Sequence, residues 1–178
     1  RVAEEVAQGR QAFVVCPAID AEASTKDDTA DDMVAEAEAA APRIRWGVVQ
    51  VADVLSRHPA FTQLRVEILH GKMPSDEKDA VMQAFSRGDI DVLVATTVVE
   101  VGVDVPNATA MVVMDAERFG ISQLHQLRGR VGRGSEPGLC LLVTSADAES
   151  PSAERLKAVA STTDGFELSR VDLEQRRE

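Results

Sequence analysis

Aromatic residues are scarce in this chain, and their scarcity limits what its core can contain. Phe, Trp and Tyr make up 3% of the 178 residues, with no tyrosine and one tryptophan. Because 44% of the residues are hydrophobic, the chain can still bury a core, which we expect to be built from Val, Leu, Ala and Ile. The length suits one domain, or one domain with an appendage.

Cysteine and histidine are also rare. Cys16 and Cys140 lie in apolar, strand-like runs without partners at metal-ligand spacing, and the three histidines are scattered. We therefore predict buried, reduced thiols and neither a disulfide framework nor a zinc module. The sequence has no apolar run that could span a membrane and no signal-peptide pattern, so we expect a cytoplasmic protein. Because it starts at Arg1 without a methionine, we expect a piece of a longer protein.

Positive charge is in deficit, and the deficit is concentrated in one stretch. The net charge is −11, but residues 20–38 contain eight acids and one lysine, a local charge of −7 that leaves −4 for the rest. Fields are screened beyond roughly 8–10 Å at ordinary salt, so a local basic surface can still work in this chain. The net charge therefore does not exclude nucleic acid as a partner. Residues 20–31 have little to bury and are predicted to form a mobile loop.

Alternating strand and helix patterns give the fold class. The strand-like runs are 11–17, 64–69, 90–95, 110–114 and 139–144. The helix-like segments are 2–9, a stretch from Asp31 or Asp32 to Ala40, 47–57, 74–86 with Ser75 as N-cap, a short one from Thr96 or Thr97 to Val101, 122–127, one from Ser150 or Ser152 to Ala160, and 169–175. Five strands alternating with helices predict an α/β fold with a parallel sheet flanked by helices.

A loop that could hold the phosphates of a nucleotide is missing. Gly71-Lys72-Met73 lacks the preceding glycines and the following hydroxyl of a phosphate-binding loop. Asp115 and Glu117 follow a predicted strand and imitate a metal-binding pair, but without that loop we interpret them as loop acids. We therefore expect that the chain alone does not hydrolyse ATP.

Three arginines interleaved with glycines stand out in residues 123–134, QLHQLRGRVGRG. Arginine suits phosphate because its planar fork donates two parallel hydrogen bonds and keeps its charge. A basic helix end, favourable at the C-terminal dipole, is the alternative for any one of them. The combined pattern of Gln126, Gly129, Arg130, Gly132 and Arg133 favours a phosphate sensor built from the arginine run. Ligands of parallel sheets gather at the carboxyl ends of the strands, and we expect residues 70–73, 96–104 and 126–133 to lie there.

These stretches together resemble superfamily 2 helicases. Residues 90–108, IDVLVATTVVEVGVDVPNA, resemble motif V of that superfamily, 123–134 resemble motif VI, 14–17 (VVCP) motif IV, and 69–73 (LHGKM) the DNA-facing motif that follows it. Within the superfamily, ERFGISQLHQLRGRVGRG at 117–134 is similar to the RecG branch-migration helicases, as are 163–167 and 172–174. The resemblance implies a RecA-like second motor domain at 1–160, with an acidic, partly mobile insert at about 20–60, and the start of a helical translocation motif at 161–178.

The resemblance also implies roles for single residues. Arg133 would be the arginine finger, Arg130 its partner on the ATP phosphates, and Gln126 would orient them. Gly102 and Asp104 would meet the ribose of the nucleotide. The residues expected to face the DNA backbone are His70, Gly71, Lys72, Thr96 and Thr97.

The resemblance implies that the whole protein is an ATP-dependent DNA helicase. It would act on stalled forks and Holliday junctions in recombination and repair, driving branch migration and fork regression. ATP with Mg²⁺ would be held mainly by the first motor domain, and the partners would be branched or duplex DNA and the N-terminal motor and wedge domains. The protein would be cytoplasmic and associated with the bacterial nucleoid. The acidic stretch is longer than in a minimal RecG, and the translocation motif is incomplete at residue 178.

Besides an RNA helicase of the same superfamily, against which Leu127-Arg128 in place of a His-Arg pair and the segment 163–174 argue, two alternatives remain open. A transcription-repair coupling factor has a similar motif VI, although it usually has Thr and Ile where this chain has Val101 and Val103. A non-catalytic RecA-like scaffold is the other alternative, against which the intact Gln126, Arg130 and Arg133 argue.

Overall fold

The structure is a computed structural model that describes residues 1–17, 47–96, 105–132, 134–135, 137–163, 165, 167–168, 170 and 173. The predicted loop at 20–31, the helix ending at Ala40 and the short helix after Thr97 lie outside these residues, as does most of the predicted segment 169–175. Within the part described, no helix is long and apolar enough to cross a membrane.

A five-stranded sheet forms the centre of the protein. Its strands are β1 (Gln11–Cys16), β2 (Val66–Leu69), β3 (Val92–Thr96), β4 (Ala108–Val113) and β5 (Leu139–Leu142). They lie in the order β2-β3-β1-β4-β5, and every neighbouring pair is parallel. The predicted parallel sheet is confirmed, with strand ends that differ from the prediction by up to two residues. Since all strands point the same way, the sheet has an amino edge where strands begin and a carboxyl edge where they end.

Helices cover both faces of this sheet. They are α1 (Val2–Ala7), α2 (Val48–Arg57), α3 (Ser75–Ser86), α4 (Ile121–Arg128) and α5 (Pro151–Ser161), with a short 3₁₀ helix at Ala116–Arg118. Ser150 is the N-cap of α5, where its hydroxyl accepts a bond from the Ala153 amide at 3.2 Å. The prediction that Ser75 caps α3 is wrong. Pro74 occupies the cap position with an extended backbone, its carbonyl accepts from the Lys78 amide, and Ser75 is already helical.

The core is aliphatic, as the composition predicts. Because side chains alternate along a strand, Val14 of β1 packs on one face with α1 and α2, and Val15 packs on the other with α4 and α5. Phe85 of α3 is fully buried and meets Phe13 edge-on, with 4.8 Å between ring centroids. Both cysteines are free thiols, and burial, together with the charge of Asp115, raises the pKa of Cys16 to about 12. Cys16 is buried as predicted, whereas Cys140 is only half-buried.

A buried amide ties the amino edge of the sheet together. The Gln11 side chain donates through Nε2 to the carbonyl oxygens of Phe85, at 2.6 Å, and Ile90, at 2.8 Å. Its Oε1 accepts a bond from Nδ2 of Asn107 at 3.2 Å. The start of β1 is thereby joined to the turn after α3 and to the residue that precedes β4.

Candidate functional sites at the two edges of the sheet

Two of the predicted DNA-facing residues lie side by side at the carboxyl edge. The register pairs Leu69 with Ala95, which places His70 beside Thr96 just past the end of the ladder. Thr96 is 6% exposed, and neither its Oγ1 nor the Nδ1 of His70 has a hydrogen-bond partner among the described residues. A buried polar atom left unsatisfied costs about 1–3 kcal/mol, so both atoms favour a polar ligand at this edge.

A tight turn after His70 carries the next two predicted residues. The Met73 amide donates to the His70 carbonyl at 3.2 Å, which closes the turn. Gly71 and Lys72 lie at its exposed tip. The turn thus presents a cation and accessible backbone beside the unsatisfied atoms of Thr96 and His70. Thr97, the remaining member of the predicted DNA-facing set, lies outside the described residues.

The arginine loop (residues 129–134) lies at the amino edge, and the prediction that it shares the carboxyl edge is wrong. Helix α4 leaves the end of β4 and must return to the start of β5, because the two strands are parallel. Its last turn therefore reaches the amino edge, where the Gly132 amide meets the carbonyl of Ala108, the first residue of β4, at 3.4 Å. The six residues of β4, a rise of about 17 Å, separate the two edges.

Glycines let the arginine loop pass against other backbone segments. Gly132 has φ +70°, and a Cβ there would lie 2.4 Å from the Gly138 nitrogen. A Cβ on Gly134 would lie 3.1 Å from the Pro106 carbonyl oxygen. The loop therefore lies against the segment that begins at Val105. Arg133 of the loop, and Gly102 and Asp104 just before Val105, lie outside the described residues.

The arginines of the run have different surroundings. Arg130 is half-buried and its backbone nitrogen donates to Leu127, whereas Gln126 is exposed. The guanidinium of Arg128 donates to the carbonyls of Val159, at 2.5 Å, and Thr162, at 2.7 Å. Arg128 therefore binds the C-terminal end of α5, and the interpretation of the run as a phosphate sensor stays a prediction.

Glu117 is held by contacts within the protein, close to the buried Asp115. Asp115 is buried and has φ +47°, an unusual conformation for a residue other than glycine. The Glu117 carbonyl accepts a bond from Arg155 at 2.6 Å, and its carboxylate accepts one from the Ser145 hydroxyl at 3.3 Å. The described part of the chain holds no group of three or more acidic, His or Cys residues suited to a metal ion.

The fold and the glycine-arginine loop agree with the comparison to known families. The model of the helicase conserved C-terminal domain matches residues 3–135, more than half of the chain. The chain belongs to the helicase C-terminal domain family. Within this family, it is 49% identical over 178 residues to the ATP-dependent DNA helicase RecG of Mycobacterium bovis and 52% identical over 186 aligned positions to that of Mycobacterium leprae. Both matches cover all of this chain and 22% of the relative, so the chain spans about a fifth of their length.

A solved structure of RecG bound to a three-way DNA junction supports the same relationship. This helicase domain is 38% identical to it with a TM-score of 0.69, and the match covers 97% of this chain and 19% of that one. The resemblance to RecG and the RecA-like fold are thus confirmed.

Sequence reasoning missed the role of Arg128. The available signal was its place in the last turn of α4, which made a helix-end cation an open alternative. The helix end that it binds is nevertheless that of α5, a contact between residues more than thirty positions apart.

Proposed function

We propose that this chain is the second motor domain of an ATP-dependent DNA helicase that acts on stalled forks and Holliday junctions. The observation that carries the proposal is the separation of two polar sites to opposite edges of one sheet. A motor must bind nucleotide and DNA at the same time, and two edges about 17 Å apart keep the ligands from competing. The 49% identity to a RecG helicase along the whole chain supports the choice of DNA as the track.

The carboxyl edge is the proposed DNA site, with His70, Gly71, Lys72, Thr96 and Thr97 as its residues. A hydroxyl, an imidazole, a lysine and backbone amides all suit phosphate oxygens. Contacts to the backbone of DNA position a protein without reading the base sequence. Such contacts suit a translocase, which must step along any sequence.

The amino edge is the proposed nucleotide site. Arg133 is the proposed arginine finger, with Arg130 beside it on the phosphates and Gln126 as the orienting amide. Gly102 and Asp104 are the proposed ribose contacts, and the closeness of Gly134 to Pro106 supports their position near the loop. An arginine finger stabilises charge on the transferring phosphoryl group and is worth about 10³–10⁵ in rate where it has been measured.

ATP and Mg²⁺ would be held mainly by the first motor domain of the longer protein, because the chain has no phosphate-binding loop. The residues of the arginine loop fit the remaining task, since a glycine backbone and arginine forks can approach phosphate from the opposite side. This chain alone is therefore expected to be inactive. We propose the N-terminal motor and wedge domains as its intramolecular partners, and the cytoplasm, at the nucleoid, as its location.

The proposal is tested by ATP hydrolysis of the longer protein with forked, four-way, linear duplex and single-stranded DNA, with this chain alone as a control. Turnover stimulated most by forks or four-way junctions, and an inactive chain, is the expected result. Equal stimulation by linear duplex would favour a general duplex translocase, such as a transcription-repair coupling factor. If no DNA stimulated any turnover, the non-catalytic RecA-like scaffold would be the remaining alternative.

A further inference from the structure

Arg128 lies in the arginine run, and its guanidinium contacts groups of both α4 and the C-terminal end of α5. Besides the two carbonyls of α5, its second terminal nitrogen donates to Nδ1 of His125 at 2.8 Å. The carbonyl groups at the end of a helix have no partners within that helix, and a cation there also interacts favourably with the helix dipole. One terminal nitrogen of Arg128 thus joins α4 to the C-terminal end of α5, and the other contacts His125 within α4.

The same residue is the base of the arginine loop. The carbonyl of Leu127 accepts a bond from the Arg130 amide at 3.0 Å, and the carbonyl of Arg128 accepts one from the Val131 amide at 3.5 Å. Further along the loop, the Gly132 amide meets the carbonyl of Ala108 in the sheet. Arg130 therefore lies in a short segment fixed at both ends, and Arg128 provides the attachment at its start.

The contacts of α5 make it a rigid support for this attachment. Val159 of α5 is 2% exposed, and it packs in one cluster with Leu124 of α4 and with Leu168, which is 1% exposed. A Cβ on Gly165 would lie 3.2 Å from Nε2 of His125, so this part of the chain also lies close to the ring that Arg128 contacts. The guanidinium thus binds carbonyls that are themselves held by the core.

We infer that Arg128 is a positioning residue for the arginine loop and not a phosphate ligand. By binding the end of α5, it fixes where the loop leaves α4 and therefore the direction from which Arg130 approaches the nucleotide. This inference rests on the proposed function of the arginine loop. It predicts that loss of Arg128 lowers turnover with little change in the binding of ATP, because the phosphate contacts remain but their geometry is loosened.

The test compares Arg128→Ala with a matched variant, Arg155→Ala. Arg155 also donates to a backbone carbonyl and also ties α5 to the region of α4, but at Glu117, before α4 begins. Both variants lose a hydrogen bond from an arginine to a backbone carbonyl, but only that of Arg128 lies next to the arginine loop. Arg128→Lys serves as the conservative variant, since an ammonium can donate to both carbonyls without reproducing the fork.

Two measurements separate positioning from a purely structural role. In the longer protein, Arg128→Ala should lower kcat per folded molecule about tenfold with KM for ATP changed less than about twofold, Arg128→Lys should recover part of kcat, and Arg155→Ala should leave kcat unchanged. In this chain, hydrogen exchange should accelerate at the amides of residues 130–132 in Arg128→Ala and not in Arg155→Ala.

Each contrary result overturns the inference. A rise of KM by tenfold or more with kcat retained would make Arg128 a direct phosphate ligand. If Arg128→Ala and Arg155→Ala had the same kcat and the same hydrogen exchange at residues 130–132, Arg128 would only attach α5 and would not position the loop. The proposed function fails separately: if Arg133→Ala leaves turnover intact, the finger assignment is lost, while the exchange data still decide whether Arg128 fixes the loop.

Discussion

Gly132 lies against Gly138, and alanine there should destabilise the chain in two ways, by its backbone conformation and by crowding. Gly88 serves as a control that has the conformation without the crowding. Gly132 has φ +70° and Gly88 has φ +82°, so alanine at either position adopts an unfavourable left-handed backbone, at about 1–2 kcal/mol. A Cβ at Gly88 would meet nothing within 4 Å, whereas one at Gly132 would lie 2.4 and 2.5 Å from the Gly138 nitrogen and Cα. These are backbone atoms and cannot rotate away.

We therefore expect Gly88→Ala to lower the free energy of unfolding of this chain by about 1–2 kcal/mol. Gly132→Ala should lower it by about 2–5 kcal/mol, since forcing extra atoms into a packed region adds about 1–3 kcal/mol to the conformational cost. The measurement is urea denaturation of both variants and the unmodified chain, followed by circular dichroism. Equal losses for the two variants would refute the close approach of the loop to Gly138.

The remaining predictions concern the two edges and the pH dependence. In the longer protein, Arg133→Ala should leave KM for ATP nearly unchanged and lower turnover at least about tenfold, and unchanged turnover would remove the finger assignment. Thr96→Ala and Lys72→Ala should each weaken the stimulation of turnover by DNA while basal turnover stays the same, and a loss of basal turnover would contradict the assignment of these residues to DNA. The hydrogen bond from Arg10 lowers the pKa of Glu5 from 4.5, so its stabilising contribution is present above that pH and is lost as pH falls through the lowered value. Denaturation of this chain between pH 6 and pH 3 should show a smaller acid-induced loss in Glu5→Gln, and identical profiles would contradict the role of this pair.

The elements of the fold were predictable because each has a local pattern. The apolar run at β1 and the Ser-Pro start of α5 required no knowledge of distant residues. The order of the strands was not predictable in this way. Strand β1 lies between β3 and β4 because its residues pair with residues about eighty and one hundred positions away, and no local pattern specifies that choice.

The site residues at the carboxyl edge follow from local patterns for the same reason. His70 and Thr96 come directly after predicted strands, so a parallel sheet alone places both at its carboxyl edge, although their closeness depends on the pairing of β2 with β3. The arginine loop follows a helix, and the rule that ligands gather after strands does not apply to it. The role of Arg128 depends on where the end of α5 lies, which only the packed structure determines.

The close approach of Gly132 and Gly138, just before β5, also predicts how substitutions at the two positions combine. A Cβ on Gly138 would lie 3.0 Å from both the nitrogen and the Cα of Gly132, a tight contact, whereas one on Gly132 would collide with Gly138, so a side chain at either position pushes the two backbone segments apart. Once one substitution has forced the two segments apart, the second finds the space already open. The two positions should therefore show strong epistasis, with a double alanine variant less impaired than the sum of the single variants.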